Sequence, residues 1–539
     1  MKKITRRDFL KVTGVSALTL GLAACGGSSS STASSTASSV AASTGEPVSG
    51  GTLKVALNRT ISAQSLDPIY IDSTTADQLC QNYGDPLVLY DADTGTYVPN
   101  IATEWDISED GCTYTFTIRD DVYFQPGSFQ EGRKLTTEDV VYSLERAKTY
   151  WCNYLFYLGE VVALDDTHVS ATIEYPNATF LYDLCHSSTV MQCKEEVEGW
   201  GEDYGMHVVG TGAFQVVEHV VDQYTKLVRN ENYWGQTPYL DGVDYYIITD
   251  GTQAVNALKT GEVDVIVSLQ GVDVPDVQAA EGREVMQSME ARVYLFGFNM
   301  ENEYLSNDLV RKALIEAVDY DQLAAAAFTN NTGVVSKLPI PLNSWGYNPD
   351  MEALVPAYDP EQAKKDLEAA GYPNGFTLTL TTGDDSTRMR AATVLQAFWQ
   401  AVGVNLEIKT ASTAEVTETY TSGTCVVTAG AQGGSTDPST FLGNFFSTEK
   451  KRTNYNPWNF SDPAVDELIK QAASITDQAE RKKLYDQILE AGVKANVGIF
   501  YGTGNLNWGY NSKVHGLIQE GTAVLKLVGA KGENVWIEQ

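Results

Sequence analysis

An α/β protein of mixed β-sheets flanked by helices is the class this sequence predicts, on three observations. Phe376 to Leu380 alternates as a strand, Arg388 to Ala401 reads as a helix with Gly403 behind it, and Val404 to Ile408 is a second strand. Strand, helix and strand on short links make a parallel βαβ unit. Alternating strands and capped helices recur over the whole chain beyond residue 50. No repeat or internal linker divides them, so domains that the chain enters and leaves more than once are expected.

The elements follow in order. Thr113-Tyr114-Thr115-Phe116-Thr117-Ile118 alternates small polar with large apolar residues, a half-buried strand. Thr136-Thr137-Glu138-Asp139 opens a helix whose apolar face is Val140, Leu144 and Ala147, with a capping-box start. Leu305 to Phe328 reads as one helix striped by Leu309, Ala313, Leu314, Ala317 and Val318. Asp359-Pro360-Glu361-Gln362 places an N-cap and a proline at the first helical position, and Gly371 ends that helix. Two more helices are expected from Asp462-Pro463 to about Ala473 and from Asp477 to Glu490.

The N-terminal segment stands apart from the fold. Thr5-Arg6-Arg7-Asp8-Phe9-Leu10-Lys11 precedes a modestly apolar run, Val12 to Ala24, too short for the roughly 20 residues that span a bilayer. A basic start and a short apolar region make an export signal over residues 1–24, and the arginine pair fits the twin-arginine type. Leu22-Ala23-Ala24-Cys25 resembles a bacterial lipobox, which implies cleavage before Cys25 and a lipid on its thiol. Residues 25–50, rich in Gly, Ser, Thr and Ala, read as a flexible tether. The expected location is therefore extracytoplasmic, anchored to the cell membrane by that lipid.

Removing residues 1–24 leaves 32 basic and 69 acidic residues, a net charge of −37. Nucleic-acid binding needs a basic footprint and is excluded as an expectation, as is a direct grip on anionic lipid. Acidity here serves solubility. About 490 residues beyond the tether suffice for two to four domains, and 29 tyrosines suit a large core and an aromatic-lined site. Apart from Cys25 there are six cysteines: Cys80, Cys112, Cys152, Cys185, Cys193 and Cys425. None has CxxC spacing, and the connectivity of any disulfides stays open, Cys185 and Cys193 being closest in sequence.

Catalytic signatures are missing. The chain has no GxxxxGK[ST], HExxH or GxSxG. Gly210-Thr211-Gly212 lacks the rest of a dinucleotide fingerprint, and the five histidines, His168, His186, His207, His219 and His515, lack metal-ligand spacing. Adjacent acids such as Asp165-Asp166 and Asp384-Asp385 do not face each other across a cleft, as glycoside hydrolysis requires. The expectation is a protein that is not an enzyme and holds neither cofactor nor metal.

One family accounts for the pattern. Ala102-Thr103-Glu104-Trp105, Asp110 to Phe116 and Arg119 to Phe124 resemble the signature of bacterial solute-binding proteins of the oligopeptide and dipeptide class (family 5). The resemblance continues through Leu135 to Arg146, Val209 to Phe214, Arg229 to Trp234 and Thr260 to Asp264. It ends with Asn299, Val310 to Leu314 and Tyr358 to Gly375, and covers about 51–535. It implies a two-lobed, periplasmic-binding-protein-like clamshell of type II with an extra inserted domain. Residues 51–95, 209–298 and 506–539 would form domain I, 96–208 the inserted domain II, and 299–505 the opposing lobe. Two crossovers would lie near Phe298 and Tyr501. A monomeric binding protein would capture di- or oligopeptides in the cleft and present them to the permease and ATPase subunits of an ABC importer. The alternative within the same fold is a non-peptide solute, an oligosaccharide or metal chelate; a carbohydrate hydrolase is the remote one.

The same resemblance points to the ligand-binding residues. Relatives pair backbone of the second lobe with the ligand as an added strand, here Gln432, Gly433 and Gly434 within Ala429 to Phe441. The acid that takes a peptide's α-amino group would fall at Gly434, where none stands. Asp437 is the nearest carboxylate, and also a good N-cap ahead of Pro438. An arginine after the first strand of the βαβ unit would hold a ligand carboxylate; Arg388 and Arg390 fall there, Arg390 in better register. Tyr83 would line the cleft from domain I or pack in its core.

Overall fold

The computed structural model describes residues 46–71, 73–91, 94–150, 155–518, 524–529 and 533–539. The expected export signal, Cys25 and the tether up to residue 45 lie outside the described residues. The fold is α/β, with mixed sheets and flanking helices in two lobes.

A single long strand, Gly498–Asn511, joins the two lobes. Its residues 498–502 pair antiparallel with Arg292–Phe298, and its residues 505–511 with Arg283–Met289. On the second-lobe side the order continues through Val427–Gly433 and Phe376–Thr382 to Val404–Thr410. On the other side it runs through Val265–Ile266, Thr52–Leu57, Gly242–Ile247 and Tyr224–Arg229 to Phe214–Val220. The chain changes lobes at Glu290–Ala291, eight residues ahead of the expected Phe298, and again between Gly502 and Gly504. Arg292 N–H turns back on Glu290 C=O (2.8 Å), a tight bend that breaks the ladder there.

The βαβ unit forms in parallel register, Phe376 opposite Val404 through Thr382 opposite Thr410, with the Ser386–Ala401 helix crossing over it. Gly375 has φ +69°, and a Cβ on it would lie 1.7 Å from the Gly403 carbonyl oxygen, so the link admits only glycine there. Trp399 of that helix is buried in the second-lobe core, and its indole N–H donates to Leu314 C=O (3.0 Å). The single helix expected from Leu305 to Phe328 is instead two, Asp308–Glu316 and Tyr320–Ala327. The carboxylate of Asp319 accepts from Asp321 N–H and Gln322 N–H and starts a new helix, outweighing the continuous apolar stripe.

Four antiparallel strands, Ala102–Ile107, Thr113–Ile118, His168–Ile173 and Leu158–Ala163, make a separate sheet. Tyr114, Phe116 and Ile118 face its core and pack with Val140 and Leu144 of the Thr137–Ala147 helix, whose start has the expected capping box from Thr136 and Asp139. Cys185 donates to Leu181 C=O (3.2 Å) and Cys193 to Glu195 (3.4 Å), so the closest pair in sequence carries free thiols. Cys152 lies outside the described residues.

Candidate functional site

The Val427–Gly433 strand brings the glycine pair to a cavity of about 1010 Å³ between the lobes, lined by Gly433, Gly434 and Ser435 from the second lobe. Gly434 N–H donates to Ala291 C=O (3.2 Å), which makes Gly434 and Ala291 a hydrogen-bonded pair. By antiparallel alternation Gln432 and Gly430 also bond to the Arg292–Phe298 strand, while Ala431 and Gly433 aim their backbone groups the other way. On that side the neighbouring strand Phe376–Thr382 pairs only at Val427 and Thr428. An unpaired strand edge therefore runs into the cavity at Gly433. Gly434 adopts φ +142°, a conformation that L side chains rarely take. This backbone geometry explains why no acidic side chain stands at 434.

Facing this edge are residues of the other lobe. Tyr182 O–H donates to Gly434 C=O (2.9 Å), and the hydroxyls of Tyr90 and Thr436 bond at 3.0 Å. Beyond them Ala178 N–H donates to Ala473 C=O (2.7 Å). The rings of Tyr90 and Tyr182 meet edge to face at 5.2 Å, and Phe156, Tyr157 and Trp234 add aromatic surface to the cavity.

Charge in the cavity is unevenly satisfied. Asp85 accepts from Tyr233 O–H (3.3 Å) on Oδ1, and from Thr211 O–H (3.0 Å) and Trp234 N–H (3.2 Å) on Oδ2; burial still pushes its carboxyl up. Glu290 and Arg292 pair at 2.5 Å. Asp183, the last residue of the Phe180–Asp183 helix, accepts the Tyr157 and Thr179 hydroxyls on Oδ2. Its desolvation pushes the carboxyl up to about 7, against those two hydrogen bonds. A carboxylate held by neutral hydroxyls, ringed by aromatics and facing an unpaired strand edge suits binding a polar solute with a positive group.

The expected site residues fall in several places. Gly433 and Gly434 line the cavity. Gln432 adjoins them, its amide donating to Asn454 C=O (2.8 Å), and it is not among the lining residues. Asp437 is buried in a two-pronged ion pair with Arg481 (2.9 and 3.0 Å) and caps the turn at Pro438 by accepting from Ser439 N–H, so it is structural. Arg390 donates to the carbonyls of Ala326 and Ala327 (3.0 and 2.9 Å), closing the Tyr320–Ala327 helix, and does not reach the cavity. Arg388 sits 3.5 Å from Asp385 at its own helix start, also outside the lining. Tyr83 is buried in a hydrophobic core with Leu53, Val55 and Leu79, its hydroxyl donating to Leu66 C=O. These four side chains are held by packing, capping or ion-pair partners and are not among the residues that line the cavity.

A family profile described as bacterial extracellular solute-binding proteins, family 5, matches residues 96–453. The chain belongs to that family. Among family 5 relatives, the dipeptide-binding protein of Escherichia coli (strain K12) is 28% identical over 457 residues, covering 79% of this chain and 84% of that one. The haem-binding protein A of Haemophilus influenzae is 29% identical over 504 residues, covering 88% and 90%. The ABC transporter-associated periplasmic binding protein DppA from Helicobacter pylori, solved with the peptide STSA, superposes with a TM-score of 0.75 at 25% identity, over 91% of this chain and 99% of that one.

Several residues of this family 5 cavity escape sequence reasoning. Tyr157, Tyr182, Asp183 and the Glu290–Arg292 pair line it, and so does the C-terminal stretch at Val524 and Lys526. Phe180-Leu181-Tyr182-Asp183 reads only as a short helix, and nothing local marks its carboxylate. Glu290-Ala291-Arg292 would have stood out only had the crossover been placed at 290.

Proposed function

We propose that this chain captures peptides in the inter-lobe cavity, outside the cytoplasmic membrane, and delivers them to the permease and ATPase subunits of an ABC importer. The observation that carries the reading is the unpaired edge at Ala431 and Gly433, which reaches the cavity at Gly433. A peptide laid along it gains main-chain hydrogen bonds whatever its side chains, which gives sequence-tolerant affinity. The relatives that bind dipeptides and the peptide STSA support the same class of ligand. Within this proposal residues 51–95, 209–298 and 506–539 form domain I, 96–208 the inserted domain and 299–505 the opposing lobe. The protein acts as a monomer held at the membrane by lipid on Cys25 and catalyses no reaction.

The test is to purify the protein, identify by mass spectrometry what remains bound, and measure thermal shifts with di- to pentapeptides, oligosaccharides and metal chelates. A ligand that binds only the folded state raises the melting temperature, by about 2.7 kcal/mol of added stability at a hundredfold excess over its Kd. The expected result is a shift with peptides. A shift with an oligosaccharide or chelate and none with any peptide would sink the proposal.

A further inference from the structure

We propose that Asp183 is the residue that receives a positively charged ammonium group of the solute, through the Oδ1 oxygen that it leaves free in the inter-lobe cavity. This rests on the reading of the cavity as the solute site. Asp183 lines the cavity, and its Oδ2 is fixed by two donors, Tyr157 O–H and Thr179 O–H (3.3 Å for the latter). Among the described residues its Oδ1 accepts no hydrogen bond and no Lys, Arg or His pairs with it. Two fixed hydroxyls orient the carboxylate without cancelling its charge, which leaves it short of a cation.

The other cavity carboxylates differ. Both oxygens of Asp85 are taken by Tyr233, Thr211 and Trp234, and Glu290 is matched by Arg292. Asp77 accepts from Gln81 (3.0 Å) and Ser187 on Oδ1, and unlike Asp183 it has a basic side chain close by, the His186 imidazole. Tyr157, whose hydroxyl donates to Asp183, meets the Phe156 ring edge to face at 5.3 Å, and both rings line the cavity with Tyr182, the next residue in sequence to Asp183. Ring faces favour an ammonium over a neutral amide. Tyr182 also touches Gly434, so the carboxylate sits beside the point where the two lobes meet over the strand edge. A peptide on that edge places its α-ammonium, the one positive group every unblocked peptide has, within the same cavity.

The test is titration calorimetry of the purified protein with trialanine, N-acetyl-trialanine and hexylammonium, for wild type and Asp183→Asn. Wild type is expected to bind trialanine about tenfold or more tightly over its acetylated form, and Asp183→Asn to bind the two equally while melting no lower than wild type. A preference that survives in Asp183→Asn overturns the proposal, as does equal binding of the two peptides by wild type, which leaves the peptide reading standing. Hexylammonium bound by wild type, lost in Asp183→Asn, with neither peptide bound, supports Asp183 and removes the peptide reading. No binding of any probe removes both. A readout without a variant guards against misfolding: the wild-type preference shrinks as pH falls through about 7 and Asp183 takes a proton. Burial pushes Tyr157, Tyr175, Tyr182, Cys185 and Asp85 up and holds His186 below its usual range, and Asp437 is ion-paired with Arg481, so the same pH series on Asp183→Asn assigns the effect to Asp183. A preference unchanged from pH 8 to pH 5 overturns the proposal.

Discussion

Asp437 and Asp183 separate stability from recognition, and replacing Asp437 by Ala tests that separation. Both partners of the Asp437–Arg481 pair are almost fully buried, with side chains 7% and 6% exposed. Arg481 lies over the rings of Trp345 and Tyr485 (5.2 and 5.5 Å) and donates to the Tyr485 hydroxyl (3.2 Å). Removing the carboxylate leaves a guanidinium buried with no counter-charge, a change that costs about 3–5 kcal/mol. The lost cap on Ser439 N–H (2.9 Å) adds about 1 kcal/mol. Urea and thermal unfolding measure the loss. Replacing both partners with apolar residues of similar volume should recover most of it, because no orphaned charge remains. Trialanine should still be preferred to its acetylated form by folded Asp437→Ala, since Asp437 does not line the cavity. A loss under about 1 kcal/mol, or a vanished amine preference at unchanged stability, would refute the reasoning.

Arg390→Ala should lower stability by about 1–2 kcal/mol through the freed Ala326 and Ala327 carbonyls, while anionic and neutral ligands keep equal relative affinity; selective loss of anionic ligands by calorimetry would restore its ligand role. The apo protein should gain stability from Asp183→Asn at high pH only. Burial in the folded state raises the Asp183 carboxyl from the usual carboxylate value of 3.8 to about 7, so the ionised native form is penalised increasingly as pH rises from about 4 to 7 and fully above it. The difference in melting temperature between variant and wild type should grow over that window; a constant difference refutes the assignment.

What was legible in the sequence is what local chemistry decides. Asp359, Asp462 and Asp477 announce helix starts because an N-cap is satisfied within three residues. The βαβ unit is legible because Gly403 and the alternating runs leave few other conformations. Asp319 carries the same cap signal, but a continuous apolar stripe masks it. Arg390 at a helix start is equally compatible with a ligand and with a helix end; the deciding carbonyls are 63 and 64 residues away. The site itself is less legible still. Tyr182 and Gly434 meet across 252 residues of sequence, and the free oxygen of Asp183 acquires meaning only beside the opposing lobe.

The contacts over the cavity also bear on how a solute is captured. Around the cavity the lobes are joined by two neutral hydrogen bonds, Tyr182 to Gly434 and Tyr90 with Thr436, and by the backbone bond from Ala178 to Ala473. Among the described residues no ion pair spans the cavity. Each such bond contributes about 0.5–1.5 kcal/mol net, so together they barely offset the cost of ordering two lobes against each other. A cleft held this weakly needs a solute to supply the difference in free energy between open and closed forms. Gly434 serves both ends of that balance. Its φ of +142° disfavours a side chain, the Tyr182 hydroxyl reaches its backbone carbonyl, and the same bare backbone leaves room along the strand edge for the solute. An acid at 434 would fill that room and strain the turn. The positive end of the solute is therefore best met from the facing domain, where Asp183 stands.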